Sequence, residues 1–202
     1  MPNKVLILNS SPAGEHSLTR KMVNEYVTQY QLKNPDAVFT NRDLAEHPLG
    51  FVDGQWLNAK YGTAESKGEM EERINALTDE LVAEVLDADV IIAGVPVYNL
   101  TVPANFKAYI DQIVVAGKTF EYTAQGPKGL VPAGKKMVVM GASGTPYDVL
   151  TQYGLNFHAP YLKALFGFIG ITDVTVIGAS ARGPEKVAEA MAEVKAKIDA
   201  LV

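Results

Sequence analysis

The sequence predicts an α/β fold of three layers, α/β/α, in which helices cover both faces of a five-stranded parallel sheet. Short apolar runs alternate strictly with stretches of helical periodicity along the chain. A repeated strand–helix–strand order favours parallel strands joined by crossover helices. The 202 residues contain no repeat or linker-like segment, so we expect residues 1–202 to form a single domain with a substantial core.

Apolar runs and apolar periodicity define the individual elements. The predicted strands cover residues 5–8, 38–44, 90–95, 137–140 and 174–177. The predicted helices cover residues 17–32, 70–85, 106–113, 150–165 and 183–201. Ser17 is a favourable N-cap for the first helix, and Pro184 suits the first turn of the last helix.

The strand compositions predict the order of the sheet. The first, third and fourth strands are the most uniformly apolar, as expected of central strands, whereas the second strand alternates like an edge strand, at Val38, Thr40 and Arg42. The order 2-1-3-4-5 satisfies both observations and is the flavodoxin-like arrangement. In such a sheet, ligands bind beyond the carboxyl ends of the strands where the winding reverses. The loops after Leu8, Val95 and Met140 should therefore form the site.

The loop after the first strand has the composition of an anion site. Residues 9–19 read NSSPAGEHSLT and lead into a helix N-terminus, where hydroxyls and free N–H groups converge. The loop matches neither the dinucleotide fingerprint nor the triphosphate loop, and Glu15 would repel a triphosphate. A monophosphate such as that of flavin mononucleotide (FMN) fits better. The alternative is a plain connection whose serines only cap the helix.

The other two loops suit a flat ligand. Pro96 and Pro103 stiffen the loop after the third strand, in which Tyr98 offers a ring for stacking and Asn99 offers polar groups. Residues 141–146, GASGTP, let a planar ligand approach the backbone, whose N–H groups would stabilise the negative charge of a reduced flavin. The alternatives are a structural turn and an ordinary glycine-rich connection.

The bulk composition excludes several classes of function. The chain has no cysteine, and its three histidines are scattered, so we expect no metal site. A net charge of −5 argues against nucleic acid or an anionic membrane as a partner. Neither a signal peptide nor a membrane-spanning apolar run is present, and we expect a cytoplasmic protein.

Several motifs together resemble the FMN-dependent NADH:azoreductase family, which comprises flavodoxin-like quinone and azo-dye reductases. The resemblance begins with residues 5–19 and covers nearly the whole chain. The other segments that carry it are PVYNL at 96–100, KTFEYT at 118–123, GPKGL at 126–130, LFGFIGI at 165–171 and GPE at 183–185.

The resemblance implies which residues hold FMN. The phosphate would be bound by Ser11, Ser17, Leu18 and Thr19. The isoalloxazine ring would be bound by two loops, comprising Pro96, Val97, Tyr98, Asn99, Leu100, Ala142, Ser143, Gly144 and Thr145. Two departures stand out: Leu18 replaces a polar residue, and Ser143 and Thr145 replace the arginine and second glycine of a Ser-Arg-Gly-Gly motif.

Residues 118–135 predict a β-hairpin excursion from the sheet. In the family this region borders the flavin pocket, so Phe120 and Tyr122 are candidate walls of the substrate site. The alternative is that both rings pack the hairpin against the domain. Trp56, in the stretch after the second strand, is a candidate lid residue or dimer contact.

The function predicted on this basis is ping-pong transfer of two electrons from NADH, through FMN, to quinones or aromatic azo compounds. NADPH is kept as an alternative reductant, and the resemblance implies a homodimer. We nominate no acid–base residue, because the cofactor carries the chemistry. The alternative is a flavodoxin-type electron carrier. The insertion after the second strand and the hairpin count against a carrier, which needs no substrate chamber.

Overall fold

The computed structural model describes residues 3–181 and 183–202. Its strands are β1 (Lys4–Asn9), β2 (Val38–Asp43), β3 (Val90–Gly94), β4 (Phe120–Thr123), β5 (Gly126–Gly129), β6 (Lys136–Ser143) and β7 (Asp173–Ser180). Five of them form a parallel sheet in the order β2-β1-β3-β6-β7, and β4 and β5 form a separate antiparallel pair. Leaving that pair aside, this is the predicted 2-1-3-4-5 order, which is confirmed.

Helices cover both faces of the sheet. Within the described ranges they are α1 (Leu18–Lys33), α2 (Gly54–Tyr61), α3 (Glu69–Asp87), α4 (Ala104–Ile113), α5 (Tyr147–Gln152), α6 (His158–Ile169) and α7 (Pro184–Asp199). Buried residues of α1 and α7 pack on one face, and those of α3, α4 and α6 pack on the other. The predicted three-layer architecture is therefore confirmed. In the part of the chain that the structure describes, no helix is long and apolar enough to cross a membrane.

The burial of each strand follows its place in the sheet. Every residue of β3 is buried, as expected of a central strand, whereas only Asp43 is buried in the edge strand β2. In β1, Leu6 and Leu8 face one core cluster and Val5 faces the other. This alternation fixes the register, because a shift by one residue would exchange the two faces.

The predicted helix over residues 150–165 is wrong. The structure has two helices there, α5 and α6, separated by residues 153–157. Gly154 in this break has a φ of +67°, in the left-handed region that glycine enters without steric cost. The Asn156 side chain accepts a hydrogen bond from Ala159 N at 3.3 Å and so caps the start of α6. Apolar spacing continues across the break because both helices pack towards the core.

Trp56 has a structural role that neither predicted alternative describes. The Asp53 carboxylate caps α2 by accepting a hydrogen bond from Trp56 N at 2.8 Å. The indole is buried within the chain, and its Nε1 donates to Gln112 Oε1 at 2.9 Å. Thr78 donates to the same oxygen at 2.9 Å. Trp56 therefore anchors α2 to α3 and α4. The predicted role of its side chain as a lid or dimer contact is wrong, because the indole is buried within the chain.

The predicted hairpin over residues 118–135 is confirmed as β4 and β5, and it lies against the end of α6. A Cβ on Gly129 would come within 2.4 Å of the backbone at Ile169 and Gly170. Close by, Val131 N donates to Ile169 O at 3.0 Å. Backbone contacts therefore fix the position of the hairpin relative to α6.

Replacing Gly129 with alanine is expected to reduce the free energy of unfolding by about 1–3 kcal/mol, since backbone atoms must move to admit the methyl group. Urea denaturation measures this change. Gly167→Ala is the matched control, because its site inside α6 has no atom within 4 Å of the added carbon. That control should be neutral or slightly stabilising. Equal effects of the two substitutions would contradict the close approach.

Candidate functional site

The three loops that the topology predicts as a site leave one edge of the sheet side by side. Asn9 ends β1 opposite Gly94, and Gly94 lies opposite Met140 of β6. Backbone bonds continue past the strand ends, from Ser10 N to Gly94 O at 3.1 Å and from Val95 N to Met140 O at 2.9 Å. The structure therefore brings the predicted phosphate and ring residues to a common edge.

The first loop presents buried hydroxyls at the N-terminus of α1. Ser17 is the N-cap, as predicted, and its Oγ accepts from Arg20 N at 3.3 Å. Thr19 Oγ1 lies 3.0 Å from Ser17 Oγ. Ser11 is also buried, and Leu18 packs its side chain against the core, which leaves its backbone facing the loop. Free N–H groups of a first turn and neighbouring hydroxyls favour an anion.

The two adjacent serines of this loop have different environments. Ser10 Oγ donates to Gly94 O at 2.8 Å and so ties β1 to β3. Ser11 Oγ only accepts a long bond from Ala13 N, at 3.4 Å. The hydroxyl proton of Ser11 is therefore the one available to a ligand, which is consistent with its selection from the sequence.

Arg20 organises the loop and is absent from the sequence prediction. Its Nε and Nη2 donate to Ser11 O at 3.0 and 2.9 Å, and its Nη2 also donates to Asp43 Oδ1 at 3.0 Å. Burial raises the pKa of Asp43, but hydrogen bonds from Arg20 and from two backbone N–H groups outweigh it and hold this pKa below its usual value. Arg20 thus fixes the loop after β1 to the end of β2.

Asn105 is a second residue that sequence reasoning missed. Its side chain, in the first turn of α4, donates to Ser10 O at 2.9 Å and to Leu44 O at 3.2 Å. It joins the ends of β1 and β2 to the helix that follows the tyrosine loop. Arg20 and Asn105 are polar residues near helix starts. Nothing in the sequence distinguishes them from polar residues that face solvent.

The loop after β3 is a tight turn with unusual backbone angles. Tyr98 and Thr101 exchange backbone hydrogen bonds of 3.0 and 3.2 Å across Asn99 and Leu100. The φ angles of Asn99 and Leu100 are +48° and +74°. A leucine in this region is strained, and such strain concentrates at functional sites. Pro96 is buried, Val97 and Leu100 are half-buried, and Tyr98 leaves 42% of its surface exposed.

The loop after β6 lies against the tyrosine loop. Val97 N donates to Ala142 O at 2.8 Å, and β6 extends through Ser143, three residues beyond the predicted strand. Ser143 Oγ donates to Thr145 O. The two residues that depart from the family motif are therefore hydrogen-bonded to each other. Ala142, Ser143 and Thr145 are half-buried, and Gly144 is exposed.

The two candidate substrate residues have opposite environments. Phe120 is only 8% exposed and packs on Phe168, with 4.8 Å between ring centroids. Tyr122 is 78% exposed and contacts Phe120 edge-on, at 5.2 Å. Phe120 therefore anchors the hairpin to α6 and supports the ring of Tyr122, which faces solvent.

The donor set at this edge fits the parts of FMN. Three buried hydroxyls at a helix N-terminus match a phosphate monoester. Asn9 Oδ1, in the described part of the chain, is a buried acceptor without a hydrogen-bond partner, and the hydroxyls of a ribityl chain are donors of the required kind. Small residues at 142–145 and the half-exposed Tyr98 leave room for a flat ring.

Comparison with known proteins agrees with this geometry. A family profile described as a flavodoxin-like fold matches residues 3–202. An FMN-dependent NADH:quinone oxidoreductase of Herminiimonas arsenicoxydans is 39% identical over 201 residues, covering 98% of each chain. One from Nostoc sp. is 43% identical over 176 residues, covering 87% of this chain and 85% of its own.

Solved structures give the same result. An FMN-dependent NADH-azoreductase from Bacillus anthracis, in complex with FMN, superposes with a TM-score of 0.87 at 26% identity, covering 98% of this chain and 99% of its own. The resemblance inferred from the sequence motifs is thereby confirmed. The chain belongs to the flavodoxin-like family that includes the FMN-dependent NADH:quinone oxidoreductases and NADH-azoreductases.

Proposed function

We propose that residues 1–202 form one FMN-binding domain that transfers two electrons from NADH to quinones and aromatic azo compounds. The observation that carries this proposal is the meeting of three loops at one sheet edge, where buried hydroxyls lie beside a strained turn and a small-residue loop. The names of its relatives support the same reaction.

The phosphate would be held by the hydroxyls of Ser11, Ser17 and Thr19 and by the backbone of Leu18. The loops Pro96-Val97-Tyr98-Asn99-Leu100 and Ala142-Ser143-Gly144-Thr145 would hold the ring. Asn9 Oδ1 would accept a bond from a ribityl hydroxyl. The chain supplies neutral donors at this site, with Arg20 already paired to Asp43.

Bound FMN would supply the redox chemistry of hydride acceptance from NADH and two-electron transfer to the acceptor. The residues of the chain bind and orient the reactants. Backbone N–H groups of the loop after β6 would stabilise negative charge on the ring. Tyr122, supported by Phe120, would border the face on which NADH and the acceptor bind in turn. Protons would come from solvent or from the Tyr122 hydroxyl, with no dedicated acid–base residue.

Steady-state assays of the FMN-loaded protein test this function. We expect NADH oxidation to depend on an added quinone or azo compound. Parallel double-reciprocal plots would indicate a ping-pong mechanism, in which NADH and the acceptor bind in turn. Parallel assays with NADPH determine the reductant preference. An electron carrier would bind FMN and yet oxidise neither nicotinamide without a partner reductase, and that outcome would overturn the proposed reaction.

Replacing Ser17 with alanine is expected to weaken FMN binding roughly 10- to 100-fold, because a hydrogen bond to a charged phosphate is lost. Quenching of flavin fluorescence measures the dissociation constant. Riboflavin, which lacks the phosphate, is the matched control ligand, and its affinity should be unchanged by the substitution. An equal loss for both ligands would show that Ser17 acts only through folding of the helix start.

Replacing Asn99 with alanine is expected to weaken both FMN and riboflavin, since this residue would contact the ring. Asn99→Gly separates the two contributions of the position, because glycine keeps the φ of +48° without strain and lacks only the amide. If both variants bind FMN as tightly as the unaltered protein does, the Asn99 side chain does not contribute to flavin binding.

We also propose that the protein is a cytoplasmic homodimer. Support for the dimer comes from large apolar side chains that a single chain leaves exposed. They lie on α2, on the segment that enters it, and between α5 and α6: Phe51, Val52, Leu57, Tyr61, Tyr153, Leu155 and Phe157. Clusters of such residues mark interfaces. Light scattering after gel filtration should give twice the chain mass, and Phe51→Glu should lower it. A monomeric mass for the unaltered protein would contradict the dimer, and cell fractionation tests the location.

A further inference from the structure

A hydrogen-bonded pair of aromatic residues lies beneath the two ring loops. Tyr147 Oη lies 3.2 Å from His158 Nδ1, and His158 Nε2 lies 3.0 Å from Val95 O. A carbonyl oxygen only accepts, so Nε2 carries the imidazole proton and Nδ1 accepts the phenol proton. The bonds therefore run in one direction, from Tyr147 through His158 to the backbone of Val95.

Two glycines make a slot for Tyr147. A Cβ on Gly141 would lie 2.0 Å from Tyr147 Oη, and one on Gly178 would lie 2.7 Å from the ring. These glycines face each other across the β6–β7 ladder. The ring of Tyr147 meets the imidazole edge-on, at an interplanar angle of 82°. The ring of Tyr147 therefore occupies space that a side chain at either glycine would fill.

Burial keeps this pair uncharged. His158 is fully buried, and desolvation lowers its pKa to about 4. Desolvation also raises the pKa of Tyr147. Both groups are therefore neutral around neutral pH, and the hydrogen bonds keep one fixed pattern of donors.

The ends of the pair belong to the two loops proposed to hold the ring. Val95 immediately precedes Pro96, and Tyr147 begins α5 directly after Thr145 and Pro146. The loops otherwise share the backbone bond from Val97 N to Ala142 O. The pair thus ties the start of one loop to the end of the other, from the side of the core.

We infer that Tyr147 and His158 are positioning residues that set the distance between the two ring loops and thereby the affinity and reduction potential of bound flavin. This inference rests on the proposed function, since it concerns the same site. Neither residue lies among those that the family resemblance assigns to FMN.

Two substitutions test the inference. Tyr147→Phe keeps the ring in its slot and removes only the hydroxyl, and His158→Leu removes both bonds. We expect roughly 3-fold weaker flavin binding in the first and roughly 10-fold in the second, as losing one or two hydrogen bonds predicts. FMN and riboflavin should be affected alike, in contrast to Ser17→Ala. His158→Gln, which keeps a donor for Val95 O, should restore most of the affinity.

The midpoint potential of bound FMN separates positioning from a general loss of stability. With the loops displaced, fewer N–H groups face the reduced ring, so the potential should become more negative in Tyr147→Phe and His158→Leu. Val194→Ala, in the distant core beneath α7, is a control that lowers stability and should leave the potential unchanged.

The outcomes are distinguishable. If the unaltered protein binds no FMN, the proposed function fails. If it binds FMN, and Tyr147→Phe and His158→Leu share its affinity and potential, the inference is overturned and the proposed function stands. Potential shifts of the same size in Val194→Ala would also overturn it. Because Tyr147→Phe removes a single atom, it decides the question even if His158→Leu does not fold.

Discussion

Replacing Arg20 with methionine is expected to lower the free energy of unfolding by about 2–3 kcal/mol, because a partly buried ion pair loses its charge-assisted hydrogen bonds. The Asp43 carboxylate is only 8% exposed and would be left without its cation. Ser11 O would lose two N–H donors at once. These two bonds hold the loop after β1, which is proposed to bind the phosphate, so FMN affinity should fall as well. Urea denaturation and flavin titration measure the two effects.

Two controls sharpen the Arg20 experiment. Arg73 pairs with Glu69 on the surface of α3, where both side chains are exposed, so Arg73→Met should cost well under about 1 kcal/mol. The double variant Arg20→Met, Asp43→Asn removes the unpaired charge, keeps an oxygen for Ala45 N and Glu46 N, and should recover much of the stability. It should not recover FMN affinity, since Ser11 O remains without its donors. A loss below about 1 kcal/mol in Arg20→Met would refute the clamp.

Acid should destabilise the protein through His158, by up to about 3 kcal/mol between its unfolded pKa of 6.5 and its folded pKa of about 4. In this window the unfolded chain binds a proton that the folded chain rejects, because burial disfavours the imidazolium. Stability is therefore fully present above pH 6.5 and decreases as the pH falls towards 4. Urea denaturation across that range measures the slope.

His158→Gln should flatten this part of the profile, because glutamine does not titrate. His47→Gln is the matched control, since His47 is exposed, and its profile should follow that of the unaltered protein. Carboxylates titrate at the lower end of the window in all three proteins, so the difference between profiles isolates His158. Parallel profiles for His158→Gln and the unaltered protein would contradict a buried neutral imidazole.

The sheet and the meeting of the three loops at one of its edges were predictable because both follow from patterns local in sequence. Uniformly apolar runs identify central strands, and the winding rule then brings the loops after Leu8, Val95 and Met140 together. The N-cap at Ser17 is a similarly local signal, and the structure confirms it. These predictions needed no knowledge of which side chains meet.

The errors and omissions depend on contacts between distant segments. Arg20 and Asp43 are 23 residues apart, and nothing in either neighbourhood indicates that they pair. Gly141 and Gly178 are ordinary small residues in the sequence, and only the position of Tyr147 shows why a Cβ is excluded there. The short helix α2 was missed because its buried anchor, Trp56, is recognisable only from its contact with Gln112 on another helix.

The burial of Trp56 gives the protein a built-in optical reporter. It is the single tryptophan of the chain, and its Nε1 bond to Gln112 Oε1 fixes the indole in a buried position. The wavelength of indole emission follows the polarity around it, so detachment of α2 from α4 should shift the emission to longer wavelengths. Docking of this one helix could therefore be followed in real time without a label, separately from global unfolding followed by circular dichroism.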